Sequence, residues 1–145
     1  MFRHILLPTD GSLLSAAAVE SGIGLARDAG AKVTVLAVVE PVQLWWSDSA
    51  QRAEGTTTVQ GYANEEIRHH LAEVERKAVA QGVPCTVLLV EHEHPYRAII
   101  DTAKKSGCDL IAMASHGRRG VAALAVGSET TKVLTHSSIP VLVYR

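Results

Sequence analysis

The sequence predicts an α/β fold, a doubly wound, five-stranded parallel sheet covered by helices. Three observations predict it. Five short apolar runs recur along the chain, near-continuous rather than alternating, as strands buried on both faces must be. Segments with helical spacing fill the gaps, giving the order β-α-β-α-β-α-β-α-β, which right-handed crossovers turn into a parallel sheet. The composition agrees: 47% of residues are hydrophobic but only 4% aromatic, so the core must be built mostly from Val, Leu, Ile and Ala.

The first strand is predicted over Ile5 to Pro8. Ala16, Val19, Ile23 and Ala26 then follow helical spacing, with Ser12 as a cap before the segment and Gly30 at its end. Gly22-Ile-Gly24 lies inside this helix and lacks a third glycine, so it reads as a close-packing feature rather than a dinucleotide loop. The second strand covers Val33 to Val39. The connection from Pro41 to about Gly61 contains Trp45, Trp46 and three consecutive threonines, more length than a strand-to-helix link needs. The tryptophan pair either covers a ligand crevice, meets a partner, or packs locally through at least one indole.

Ile67, Leu71, Val74 and Ala78 mark one face of a long charged helix that stops at Gly82 and Pro84. The third strand spans Val87 to Val90. A shorter helix runs from about Pro95 to Ser106, with Pro95 in its first turn and Gly107 behind it. The fourth strand covers Leu110 to Ala114, the fourth helix starts at Ser128 and carries Val133 and Leu134 inward, and the fifth strand covers Val141 to Val143.

A second strand beside the first, with the chain then reversing, gives the strand order 3-2-1-4-5. Ligands of such sheets bind at the carboxyl ends of the strands where the winding reverses. That crevice lies between strands one and four, bounded by Thr9-Asp10 and Ser115-His116.

At 145 residues the chain fits one domain, residues 1–145, with no stretch polar enough to separate two cores. Fourteen basic residues against fifteen acidic ones give a formal charge of −1, which argues against nucleic acid and anionic membrane as partners. Cys85 and Cys108 lack CxxC spacing and read as buried thiols in a reducing compartment, with a disulfide between them as the alternative. The opening apolar run is too short for a signal peptide and no later run approaches a membrane span, so a cytoplasmic protein is expected.

The segment that carries chemistry is Met113-Ala-Ser-His-Gly-Arg-Arg-Gly-Val-Ala-Ala-Leu-Ala-Val-Gly-Ser128-Glu-Thr, a strand end, a loop and a helix start. Gly117 and Gly120 let backbone amides approach an anion, and Gly127 and Ser128 stand at a helix N-terminus whose donors and dipole favour negative charge. Ser128 either donates its hydroxyl to a phosphate or merely caps the helix. Across the crevice, Asp10 either takes a ribose hydroxyl or caps the first helix. His116 is the one histidine expected in the site. Its neighbour Ser115 invites a hydrolase reading, but adjacent side chains are not expected to meet, and no third group is marked. No GxxxxGK[ST] loop is present, and His92-Glu93-His94 reads as a solvated loop rather than a metal site.

The opening Ile-Leu-Leu-Pro-Thr-Asp-Gly-Ser, the Ala-Ser-His-Gly-Arg-Arg-Gly stretch, the Gly-Ser before the last helix and the ending Ser-Ile-Pro-Val-Leu-Val resemble the universal stress proteins over essentially the whole chain. The resemblance implies a Rossmann-like fold of the adenine nucleotide alpha hydrolase type. The ATP-binding branch of that family carries the pattern G-x2-G-x9-G-[ST]. Gly117, Gly127 and Ser128 match its last elements across nine residues, Arg118 to Val126, but Ala114 replaces its first glycine. That methyl group would crowd a nucleotide or disfavour a positive φ.

By resemblance, Asp10 meets the ribose or adenine side, Val38 lines the adenine pocket with Pro8 and Thr9, and Met113 and Ala114 lie under the nucleotide. Gly117, Gly127, Ser128, Glu129 and Thr130 surround the phosphates, and Arg118 adds charge. Glu129 must turn away from phosphate or help to hold Mg²⁺. The implied ligand is ATP or another adenine nucleotide. The implied assembly is a homodimer through the last strand, Pro140 to Tyr144, which also reads as an apolar sheet edge unless Arg145 guards it. The leading expectation is a nucleotide-binding, dimeric stress-response regulator with a protein partner that the sequence does not identify. The competing readings are a slow ATPase or phosphotransferase in the same pocket, and an interaction module that has lost nucleotide through Ala114.

Overall fold

A computed structural model describes residues 1–41, 49–116 and 126–145, with the backbone alone for 49–63. Five strands, β1 (His4–Thr9), β2 (Lys32–Val39), β3 (Cys85–Glu91), β4 (Leu110–Ala114) and β5 (Val141–Tyr144), alternate with four helices, α1 (Leu13–Ala29), α2 (Ser49–Ala80), α3 (Pro95–Ser106) and α4 (Ser128–His136). All pairings are parallel and the sheet order is β3-β2-β1-β4-β5, so the fold class and strand order are those the sequence predicts.

Strand periodicity divides the core in two. Ile5, Leu7, Val33 and Val35 turn to one face with Val19, Ile23 and Ala26 of α1 and Ile67, Leu71, Val74 and Ala78 of α2. Leu6, Leu36, Ile111 and Met113 turn to the other with Ile99, Ile100 and Ala103 of α3 and Val133 of α4. Burying a side chain of this size stabilises by roughly 1.5–3 kcal/mol, so the two layers supply the main driving force for the sandwich. Gly22 works as a packing glycine: a Cβ there would collide with the Leu7 side chain, whereas Gly24 has nothing within 4 Å.

Helix ends follow their sequence signals. Ser12 caps α1 by accepting from the Ser15 amide, and Gly30 and Gly107 close α1 and α3 in the left-handed conformation. Two expectations are corrected. The connection expected from Pro41 to about Gly61 is shorter, because α2 already starts at Ser49. Residues 49–54 are mostly good helix formers, and each threonine costs only a fraction of a kcal/mol against the cooperativity of a long helix. Trp45 and Trp46 lie outside the described residues. Leu134 does not point inward but is 47% exposed, since Val133 takes the buried position three residues after Thr130 and Leu134 falls about 100° further round.

Both cysteines are free, Cys108 buried and Cys85 half-buried, and burial pushes each thiol up to about 11, which leaves them protonated at neutral pH. No helix among the described residues is long and apolar enough to cross a membrane.

Candidate functional site

A cavity of about 300 Å³ opens at the carboxyl ends of β1, β2 and β4, where the sheet reverses its winding. Pro8, Thr9 and Asp10 line it from β1, Val38 from β2, Met113, Ala114 and His116 from β4 and its exit, and Gly127, Ser128, Glu129 and Thr130 from the start of α4. These residues stand far apart in sequence, and the crossovers bring them to one wall. The remaining expected residues, Gly117, Arg118 and Gly120, lie outside the described residues.

The α4 end of the site is held by close backbone approach. The Gly127 amide donates to the Ser115 carbonyl at 2.6 Å, and a Cβ on residue 127 would lie 2.9 Å from that oxygen. Thr130 Oγ1 donates to the Ala114 carbonyl at 2.9 Å, and the Ser115 amide donates to the Tyr144 carbonyl at 2.7 Å. Gly127, not Ser128, is the N-cap, and it provides no side-chain cap. The first backbone bond of α4 runs from Thr131 N to Gly127 O, so the amides of Ser128, Glu129 and Thr130 have no intrahelical acceptor and stand at the cavity with the positive end of the helix dipole. The Ser128 hydroxyl is thereby released from the capping role that the sequence left open.

Ala114 is the last residue of β4, in register with Tyr144 of β5. No non-glycine residue among the described ones has a positive φ, so alanine brings no backbone strain to this position. The departure from the family pattern is reduced to one methyl group on the cavity wall.

Asp10 serves the loop before α1: its Oδ1 accepts from the Ser12 amide and from Ser15 Oγ, each at 2.9 Å. Gly11 between them has φ 80°, a conformation that favours glycine. Glu129 turns away from the α4 N-terminus. Its Oε2 accepts from the Tyr96 amide at 3.0 Å in the first turn of α3, and its Oε1 lies 3.3 Å from Lys132 Nζ. A carboxylate engaged on both oxygens is not arranged as a Mg²⁺ ligand, so of the two roles open to Glu129 the turned-away one fits this geometry.

Contrary to the expectation that adjacent side chains do not meet, Ser115 Oγ lies 2.9 Å from His116 Nδ1. The pair sits just past the end of β4, where the alternation that separates neighbouring side chains in a strand no longer applies. A second histidine reaches the site from outside the expected set: His70 Nε2 on α2 lies 2.9 Å from Thr9 Oγ1, which is 3.2 Å from Ser15 Oγ. His70 precedes Leu71 on the inward face of α2, the one sequence signal that points to it. Leu36, Glu40, Ser15, Pro95 and Ile99 also line the cavity, although no sequence motif marks them. Leu36 and Glu40 share the face of Val38 by the period of two, and Pro95 and Ile99 are one helical turn apart.

The universal stress protein family model matches residues 1–145 of this chain. The chain belongs to that family. The universal stress protein YxiE of Bacillus subtilis is 29% identical over 153 residues, with all of both chains covered. Among solved structures, the hypothetical protein MJ0577 of Methanocaldococcus jannaschii superposes with a TM-score of 0.81 at 24% identity, covering 99% of this chain and 95% of its own. A universal stress protein in complex with cAMP gives 0.71 at 22% identity over 99% and 97% of the two chains. The universal stress protein of Archaeoglobus fulgidus in complex with dAMP gives 0.69 at 16% identity over 100% and 98%. All three structures share the fold of this universal stress protein.

Proposed function

We propose that this universal stress protein is a cytoplasmic, single-domain homodimer that binds ATP or a related adenine nucleotide and acts as a stress-response regulator through binding rather than turnover. The observation that carries the reading is the cavity at the winding reversal, which is lined both by the start of α4, where three amides lack an intrahelical acceptor, and by the apolar Pro8, Leu36, Val38 and Ile99. This combination suits a ligand with a flat apolar base and an anionic tail. Its volume falls at the lower end of the range for small-molecule sites. The cAMP and dAMP complexes formed by proteins of the same fold support an adenine ligand.

In this reading Val38 and Pro8 flank the base, Asp10 faces the ribose, and Ser128 and the first amides of α4 hold the phosphates, with Arg118 adding charge from the loop. The dimer is supported by β5, a sheet-edge strand whose Leu142 remains 37% exposed. Calorimetric titration with ATP, ADP, AMP and cAMP tests the reading. Saturable heat and a ligand-dependent rise in Tm are expected for at least one of them. No heat and no stabilisation by any at millimolar concentration would overturn it.

A further inference from the structure

The two ring nitrogens of His116 are in opposite situations. Nδ1 lies 2.9 Å from Ser115 Oγ, whereas Nε2 is buried and, alone among the buried side-chain nitrogens and oxygens of the described residues, has no hydrogen-bond partner. Burying a polar nitrogen without a partner is unfavourable, and His116 lines the cavity, so its orphan nitrogen marks a place where a ligand atom would restore the missing bond.

The Ser115–His116 contact decides what kind of atom that is. If Nδ1–H donated to Ser115, the serine hydroxyl hydrogen would need another acceptor, and no second partner of Ser115 Oγ occurs among the described residues. Nε2 would then be a bare acceptor, leaving two buried groups unsatisfied. If instead the Ser115 hydroxyl donates to Nδ1, the serine is satisfied and the ring proton resides on Nε2, leaving a single N–H donor without a partner.

That donor stands beside the α4 N-terminus. A Cβ on Gly127 would lie 3.8 Å from His116 Cδ2, the ring carbon bonded to Nε2. The described side chains of the cavity include the carboxylates Asp10, Glu40 and Glu129, and among them an anion finds no Lys or Arg partner. We propose that Ser115 locks His116 in the Nε2–H tautomer and that this N–H is a phosphate-recognising donor, which makes Ser115 a positioning residue for phosphorylated adenine ligands. The proposal rests on the adenine-nucleotide reading and adds to it how the site distinguishes a nucleotide from a nucleoside.

The test compares AMP with adenosine by calorimetry for the wild type and for His116→Ala, His116→Gln and Ser115→Ala, each checked for folding by circular dichroism. His116→Ala is expected to weaken AMP about tenfold and adenosine by less than about twofold, the loss of one charge-assisted hydrogen bond. His116→Gln, which offers an amide N–H near the Nε2 position, should recover most of that loss. In the ligand-free wild type, ¹⁵N NMR of the imidazole should show a protonated Nε2 and a bare Nδ1, and in Ser115→Ala a mixture of tautomers. Equal losses for AMP and adenosine, no loss for either, or a wild-type ring protonated on Nδ1 would overturn the tautomer lock while leaving nucleotide binding intact. If the wild type binds no adenine compound, the adenine reading and this proposal fall together.

Discussion

The Gly127 amide donates to the Ser115 carbonyl at 2.6 Å, so the start of α4 is tied to the exit of β4 with no room for a side chain between them. A Cβ at position 127 would sit 2.9 Å from that oxygen and 3.3 Å from His116 Cα, both backbone atoms that cannot rotate away. Gly127 has φ −63°, which alanine adopts freely, so the obstacle is steric and not conformational. Gly127→Ala is therefore expected to destabilise by about 1–3 kcal/mol and to weaken AMP more than Ser128→Ala does, because it moves all three amides of the helix start together. Urea unfolding and calorimetry on the two variants check this; unchanged stability and affinity would mean that the close approach is not needed.

Ala114 gives the complementary experiment. Its backbone is ordinary strand, so glycine offers no relief of strain there, and Ala114→Gly should lose about 0.5–1 kcal/mol of stability. Ala114 lines the cavity, and removing its methyl group should tighten adenine nucleotide binding by a few-fold. The two effects have opposite signs, so thermal unfolding without ligand and titration with ligand separate them. A variant that is less stable and binds no better would show that the methyl does not crowd the ligand.

Much of this arrangement can be read from the chain because it depends on short-range rules. Apolar runs, caps and αL glycines locate β1, α1, β3, α3 and β4 to within a residue or two, and the glycine and serine before α4 mark its start. Leu36 and Glu40 follow once Val38 is placed on the cavity, by strand alternation alone. His70 does not follow, because its contact with Thr9 depends on how α2 sits across the sheet. The Ser115–His116 bond is hidden for another reason: it forms just where regular geometry ends, so neither strand nor helix periodicity describes it.

The edge strand carries the assembly prediction. Leu142 points outward from β5 and stays 37% exposed in the protomer. If two copies pair along this edge, Leu142 becomes buried and a charge there would be costly to desolvate. Leu142→Asp is expected to shift the sedimentation coefficient from dimer to monomer at micromolar concentration, with the protomer's circular dichroism unchanged. A wild type that sediments as a monomer, or a variant that remains dimeric, would rule out this edge as the interface.

The pH dependence of folding should centre on His4, away from the cavity. His4 is buried in β1, with Nε2 2.7 Å from Thr34 Oγ1 on the neighbouring strand. Burial, reinforced by the charge of Lys32, holds its imidazole below the ordinary 6.5, while the Ser106 backbone and Asp109 pull weakly the other way. Asp109 stays close by accepting from the amides of Arg3 and His4. The folded state thus prefers neutral His4, and the unfolded chain takes up the proton first as pH falls. The resulting stability is fully present above about pH 6.5 and is lost as pH falls through the window between that value and the lower folded one. Urea unfolding of wild type and His4→Gln between about pH 8 and pH 5 should show a steeper fall for the wild type below pH 6.5. Parallel curves would show that His4 takes up its proton equally in both states.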